Sequence, residues 1–214
     1  MSGNTFGAKH YSDGKMIAPM LPQFPDLTKC KKCDHIFWLS DLRPVAKKEL
    51  GDDFDGIDWG DGELEQAEFL EIDDLFRALK KVRSTKKIFN VRLQIWWGYN
   101  DRVRYGHKLF FKDQEDANLW AQNCRALLLE LGLQPTSDDN LAIIAELHRN
   151  LGETELALET IKRIKDDELS KFKEQFIREC SKKNRRVFKI GEQKDDYDDW
   201  DDEPDTDAKY EAYV

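Results

Sequence analysis

The chain has 214 residues, 40% of them hydrophobic, with four cysteines and a formal net charge of -9. That suffices for one packed domain plus a small module, and no apolar run approaches the roughly 20 residues of a bilayer-crossing helix. The few cysteines make no disulfide framework and the negative charge disfavours a nucleic-acid binder, so a soluble, cytoplasmic protein with reduced thiols is expected.

Residues 1–15 are polar and Gly-rich, lack the apolar core of a secretory signal, and read as loose. Two short apolar stretches follow, Met16-Ile17-Ala18-Pro19-Met20-Leu21 and His35-Ile36-Phe37-Trp38-Leu39, flanking a Pro- and Cys-containing turn. They predict a small antiparallel β-unit, giving an N-terminal β/knuckle module over residues 1–50. Within it, Cys30-Lys31-Lys32-Cys33 is the sharpest chemical signal. A two-residue spacer lets both thiolates face one metal ion, as in the knuckle of a zinc ribbon, and Lys29, Lys31 and Lys32 favour the thiolate form. Tetrahedral zinc takes four ligands and there is no second Cys-x-x-Cys, which leaves His35 and His10 as the additional candidates, with His107 more remote. The pair also fits a redox dithiol, but an apolar β-like stretch follows Cys33 where a thioredoxin-type site has a helix. The knuckle is expected to be structural and independent of the helical body.

Residues 51–62 are an Asp/Gly-rich linker. Aligning Gly56 with the invariant glycine of a calcium loop puts Gly51 at the first ligand position and Gly62 where the bidentate Glu belongs, so the pattern fails and a solvated linker is expected. From Glu63 the chain turns helical, and residues 63–193 form the expected helical domain. Leu64, Ala67, Leu70 or Ile72, Leu75, Leu79 and Val82 recur at helical spacing up to Arg83. Over residues 87–99, Phe89, Val91, Leu93, Ile95 and Trp97 alternate as in a strand, whereas Ile88, Val91, Ile95 and Tyr99 fit a helix; the helical surroundings favour helix. Residues 113–131 carry Trp120, Cys124, Leu127 and Leu131 on one stripe, and Leu169, Phe172, Phe176 and Cys180 mark a further helix. Both of these cysteines read as core residues. Val187, Phe188 and Ile190 suggest a short strand returning to the N-terminal β-unit.

Between those helices, Leu141, Ile144, Ala145, His148, Ala157 and Ile161 stand at tetratricopeptide spacing, with Gly152 in the turn. Ala145 and Ala157 are small where two antiparallel helices approach closely, and Gly152 suits the position just past a helix end. The fold class expected is mainly α: about six helices in series as tetratricopeptide-like stacked hairpins, with a small N-terminal zinc-ribbon-like unit. Residues 194–214 hold ten acidic residues against Lys194 and Lys209, which leaves the rest near neutral. They predict a disordered acidic tail that either serves solubility or docks transiently on the basic run Lys182, Lys183, Arg185 and Arg186.

Trp96, Trp97 and Tyr99 followed by Arg102 and Arg104 suggest either base stacking or a packed hairpin end, and the negative charge favours packing. No Gly-rich phosphate loop, nucleophile elbow or His-Glu-x-x-His is legible. Thr28-Lys29-Cys30-Lys31-Lys32-Cys33 running into Phe37-Trp38-Leu39, Arg92 with Trp96-Trp97 and Asn100-Asp101, and Glu146-Leu147-His148-Arg149-Asn150-Leu151-Gly152 resemble a group of uncharacterised bacterial cytosolic proteins. These join a Cys-x-x-Cys knuckle to tetratricopeptide-like helices. The resemblance implies architecture and a non-enzymatic role. A protein-interaction module for a protein or peptide partner is therefore expected, with Trp96, Trp97, Arg102 and His148 as candidate partner-binding residues and zinc at Cys30 and Cys33 as the candidate cofactor. A thiol-redox or metal-dependent protein and a nucleic-acid binder are the alternatives.

Overall fold

The computed structural model describes residues 5–21, 24–43 and 67–191. The Asp/Gly linker and the acidic segment 194–214 with its expected docking lie outside the described residues.

Among the described residues six α-helices follow one another: α1 (Ile72–Lys81), α2 (Thr85–Arg104), α3 (Gln114–Gly132), α4 (Asp138–Asn150), α5 (Thr154–Ile161) and α6 (Ser170–Ser181). Before them come two small antiparallel hairpins, β1 (Lys9–His10) with β2 (Met16–Ile17), and β3 (Leu27–Lys29) with β4 (Ile36–Trp38). The two apolar stretches expected to pair with one another therefore do not. Met16–Ile17 pairs with residues from the segment read as loose, because Asp13-Gly14 turns the chain back on itself. Ile36–Trp38 pairs across the cysteine turn instead. The expected return of the C-terminal segment is present as a bridge between Tyr11 and Lys189.

The helix expected from Glu63 begins only at Ile72. The Thr28 hydroxyl donates to the Glu68 carbonyl and accepts from its N–H, so that residue's backbone is satisfied by β3 rather than by a helical turn. The ambiguous segment around residues 87–99 is helical, inside α2. It buries Val91, Ile95, Trp96 and Tyr99 completely, the 3.6-residue stripe that the strand-like alternation obscured.

Two apolar clusters result. One gathers α1–α3 with Leu147 and Leu151 of the α4 end, and takes in Leu27 and Trp38 from the second hairpin. The other gathers Leu141, Ala145, Ala157, Ile161, Phe172, Phe176 and Cys180 from α4–α6, with Phe188 against it. The knuckle does not stand apart from the helical body: Lys29 pairs with the buried Asp74 at 2.6 Å, and Arg77 reaches both Asp74 and Asp34. Leu141, Ala145, Ala157 and Ile161 of the repeat pattern all face the second cluster, and Ile144 packs against the first. After α4, Gly152 at φ 81 lets the Glu153 N–H return to the His148 carbonyl and its own N–H to Arg149, closing the helix as the sequence pattern requires. No helix among the described residues is long and apolar enough to cross a membrane.

Candidate functional site

The two clusters meet at a buried polar junction that takes in Trp96, Trp97, Asn100, Glu146, Arg149 and Asn150 from the motifs that carried the family resemblance. Glu146 on α4 is fully buried and accepts from the Ser12 hydroxyl at 2.7 Å and from Arg149 at 2.5 and 2.8 Å. Burial pushes its carboxyl above the ordinary value, while the Arg149 guanidinium and the Ser12 hydroxyl pull it back. Arg149 also donates to the carbonyls of Asn184 and Arg186 and lies over the Phe188 ring at 4.9 Å. Asn150 accepts from the Trp96 indole at 3.0 Å and donates to the Arg185 carbonyl. On the α2 side the fully buried Asp13 pairs with Arg104 and accepts from Asn100 at 2.8 Å, and its carbonyl takes the Trp97 indole N–H at 3.0 Å. One polar assembly thus ties the first hairpin, α2, α4 and residues 184–188 together, satisfying charges that would be prohibitive alone.

The candidate residues separate accordingly. Trp96 is fully buried, and Arg102 is 8% exposed, pairing with Asp116 at 2.7 Å over the Tyr99 ring. Trp96 and Arg102 are therefore interior, whereas Trp97 is half-buried. His148 bonds Glu153 at 2.6 Å across the α4–α5 turn. Arg186 of the basic run lies over the Phe110 ring at 3.9 Å, Arg185 donates to the Asn150 carbonyl, and Lys182 pairs with Glu179.

Trp97 alone of these four lines a cleft of about 680 Å³. Its walls come from β2, residues 24–26, the approach to α1 and the face of α2. Gly98 makes the junction of α1 and α2 tight, since a Cβ there would stand 3.0 Å from Ile72. At one end Lys15 meets Asp101 at 2.6 Å, and Asp101 is shared at 2.6 Å with Arg104, which also pairs with Asp13, so the charges at that end cancel. Asn90 and Gln94 bond one another at 3.1 Å, and Asp26 holds Ser40. Around this wall Phe24, Phe69 and Tyr105 are 72%, 61% and 65% exposed. Sequence reasoning missed these three because nothing in local periodicity separates an exposed aromatic from a core one. It missed Asp13 too, though Asp13-Gly14 is a hairpin signal.

Cys30 and Cys33 occupy the turn between β3 and β4, which the Cys30 N–H to His35 carbonyl bond and the Asp34 N–H to Cys30 carbonyl bond close. Asp34 takes a left-handed conformation at φ 60, and Arg77 holds its carboxylate and carbonyl. A strand, β4, follows Cys33 here, where a thioredoxin-type pair opens a helix. His35 is exposed and stacks parallel to Phe37 at 6.4 Å, and His10 lies in β1. Among the described residues no three His, Cys, Asp or Glu side chains converge to hold a metal ion. Zinc is fitted by half a ligand set. Burial pushes the thiols of Cys124 and Cys180 up, Cys180 to about 11, so neither is poised as a thiolate. Comparison of the chain with protein-family models, curated proteins and solved structures gives no match.

Proposed function

We propose that the chain is a non-enzymatic protein-interaction module that receives an apolar peptide segment of a partner protein in the α1–α2 cleft, on a scaffold of tetratricopeptide-like helical hairpins. The observation that carries it is the ring of exposed Phe24, Phe69 and Tyr105 around a cleft whose Lys15 is already paired with Asp101. Exposed aromatics cost solvation when bare and are the side chains that dominate binding energy when covered. The lining cation Lys15 is paired with Asp101, and Asp26 and the amides of Asn90 and Gln94 add no positive charge, which suits an apolar peptide better than a nucleic-acid strand that needs a run of uncompensated cations. The scaffold role rests on the small Ala145 and Ala157, both fully buried in one cluster. The cytoplasm is the proposed compartment, in keeping with four cysteines outside any disulfide.

The test is panning of a random peptide library on the full chain, followed by titration of enriched peptides against wild type, Phe69→Ala, Tyr105→Ala and, as a remote control, Leu129→Ala. Enriched peptides should carry aromatic or aliphatic anchors and lose about tenfold or more in affinity in the first two variants, the loss expected for a hot-spot residue. Peptides that bind all four proteins equally, or the absence of enrichment, would remove the cleft as the site.

A further inference from the structure

Along α2, Lys86, Asn90, Gln94, Trp97 and Asp101 recur at every third or fourth residue and so share one face, and the last four of them line the cleft. Lys86 continues that face one turn beyond it. α1 runs back along α2, with Ile72 against Gly98, so the last turn of α1 and the first turn of α2 lie together at this end. From Lys80 to Lys87 the chain holds five cations, Lys80, Lys81, Arg83, Lys86 and Lys87, and no carboxylate. Lys87 is engaged, pairing with Asp41 at 2.5 Å and lying over the Trp38 ring. Arg83 donates to the carbonyls of Lys80 and Val82, which holds its guanidinium at the turn without neutralising it. Lys80, Lys81, Arg83 and Lys86 are exposed, and among the described residues no carboxylate pairs with them. At the opposite end of the cleft Lys15 and Arg104 are neutralised by Asp101 and Asp13. The cleft is therefore neutral at one end and opens on bare positive charge at the other. Local stability gives no reason for Lys86 and Lys87, since cations in a first turn have the wrong sign for the positive end of a helix.

Taking the cleft as a peptide site, on which this rests, we propose that the basic turn between α1 and α2 receives an acidic run of the same partner segment, so that the sequence recognised is bipartite, apolar in the cleft and acidic beyond it. Charge complementarity and the continuity of the α2 face select this occupant. Trp97 and Lys86 are about 17 Å apart along the helix axis, which an extended peptide spans in about five residues. The acidic side chains therefore stand about five residues from the main apolar anchor. A nucleic-acid strand following the same path would carry phosphates past Asp26 and Asp101 in the cleft, and a chain of net charge -9 repels a long polyanion. A short acidic run feels chiefly the nearby cations, because exposed charges are screened over roughly 8 Å at physiological ionic strength.

The experiment titrates the full chain with two fluorescent synthetic peptides that share an aromatic–aliphatic core. One carries a run of glutamates about five residues out on each side, which serves either direction of binding, and the other carries glutamines in their place. Wild type should bind the glutamate peptide about fivefold to tenfold more tightly at low salt, the sum of two or three exposed ion pairs, and the gain should fade at high salt. Lys86→Glu should abolish the gain and leave the affinity for the glutamine peptide unchanged. Its melting temperature should not fall, since an acidic residue suits the first turn of α2, so the lost gain is not a folding failure. Lys162→Glu, exposed past the end of α5, makes the same change in net charge and should keep the gain. Equal affinity of wild type for the two peptides, or a gain that survives Lys86→Glu or is lost equally in Lys162→Glu, would overturn the bipartite reading and leave the cleft standing. If neither peptide binds, the cleft falls and the acidic arm with it. A single-stranded oligonucleotide that binds wild type, fails on Lys86→Glu and displaces the glutamate peptide would assign the turn to nucleic acid and overturn the proposal.

Discussion

Replacing Arg149 by Met removes the centre of the buried junction while keeping most of the side chain's bulk against Phe176 and Phe188. The Arg149 side chain is 1% exposed, holds Glu146 through two nitrogens, and satisfies the carbonyls of Asn184 and Arg186. Breaking one partner of a buried ion pair costs about 3–5 kcal/mol, because the remaining charge is left in an apolar surround. Each orphaned carbonyl would add about 1–3 kcal/mol if nothing relaxed. The pieces overlap, since residues 184–188 can swing out to water once released, so about 4 kcal/mol is the working figure. For a chain of this size that lowers the melting temperature by roughly 8–16 °C. The loss has a pH signature. Burial already raises the Glu146 carboxyl, and without Arg149 nothing of like strength pulls it back. A group with a raised folded-state value stabilises the fold below its unfolded value of about 4.3 and loses that contribution as pH rises through the folded value. The destabilisation should therefore be larger at pH 8 than at pH 5. Urea unfolding of wild type and Arg149→Met, followed by far-ultraviolet circular dichroism at both pH values, measures it. A difference under about 1 kcal/mol at pH 8, or one that does not change with pH, would mean that the junction is not what joins the two clusters.

Ala145→Leu and Ala157→Leu should each cost about 1–3 kcal/mol by overpacking the α4–α5 contact, read as lowered urea midpoints. Gly98→Val should push Ile72 away, costing about 1–3 kcal/mol and weakening any peptide selected on the cleft, whereas Gly98→Ala should stay close to wild type as its helix preference offsets a milder contact. Burial raises the Asp116 carboxyl, but Arg102, Tyr99 and the Lys112 N–H outweigh it and hold it below the ordinary value. That stabilisation is present above the unfolded value of about 3.9 and is lost as pH falls through the folded one, so Asp116→Asn should flatten the drop in urea midpoint between pH 5 and pH 2. Asp34→Ala should cost about 1–2 kcal/mol, since alanine keeps the left-handed strain and loses the carboxylate's bond to Arg77 while the carbonyl's remains; an unchanged midpoint would mean that the turn relaxes freely.

Local rules determine much of this protein from its sequence. The helical stripes of α3, α4 and α6, the small residues and the Gly152 turn between α4 and α5, and the burial of Cys124 and Cys180 all follow from periodicities spanning one or two turns of chain. Where two periods compete, as around residues 87–99, neighbouring elements choose, and α2 is a helix because its apolar stripe lies between α1 and α3. Which residues form the junction is a different kind of fact. Ser12, Asp13, Glu146 and Arg149 are ordinary surface types in sequence, and they are buried only because α2, α4 and the two ends of the described chain converge on one point. The same holds for the cleft, whose walls come from residues 15–17, 24–26, 69–75 and 90–105. Pattern along a chain fixes which face of an element is apolar. Only packing decides which distant polar groups can satisfy one another away from water, and which aromatic side chains are left uncovered.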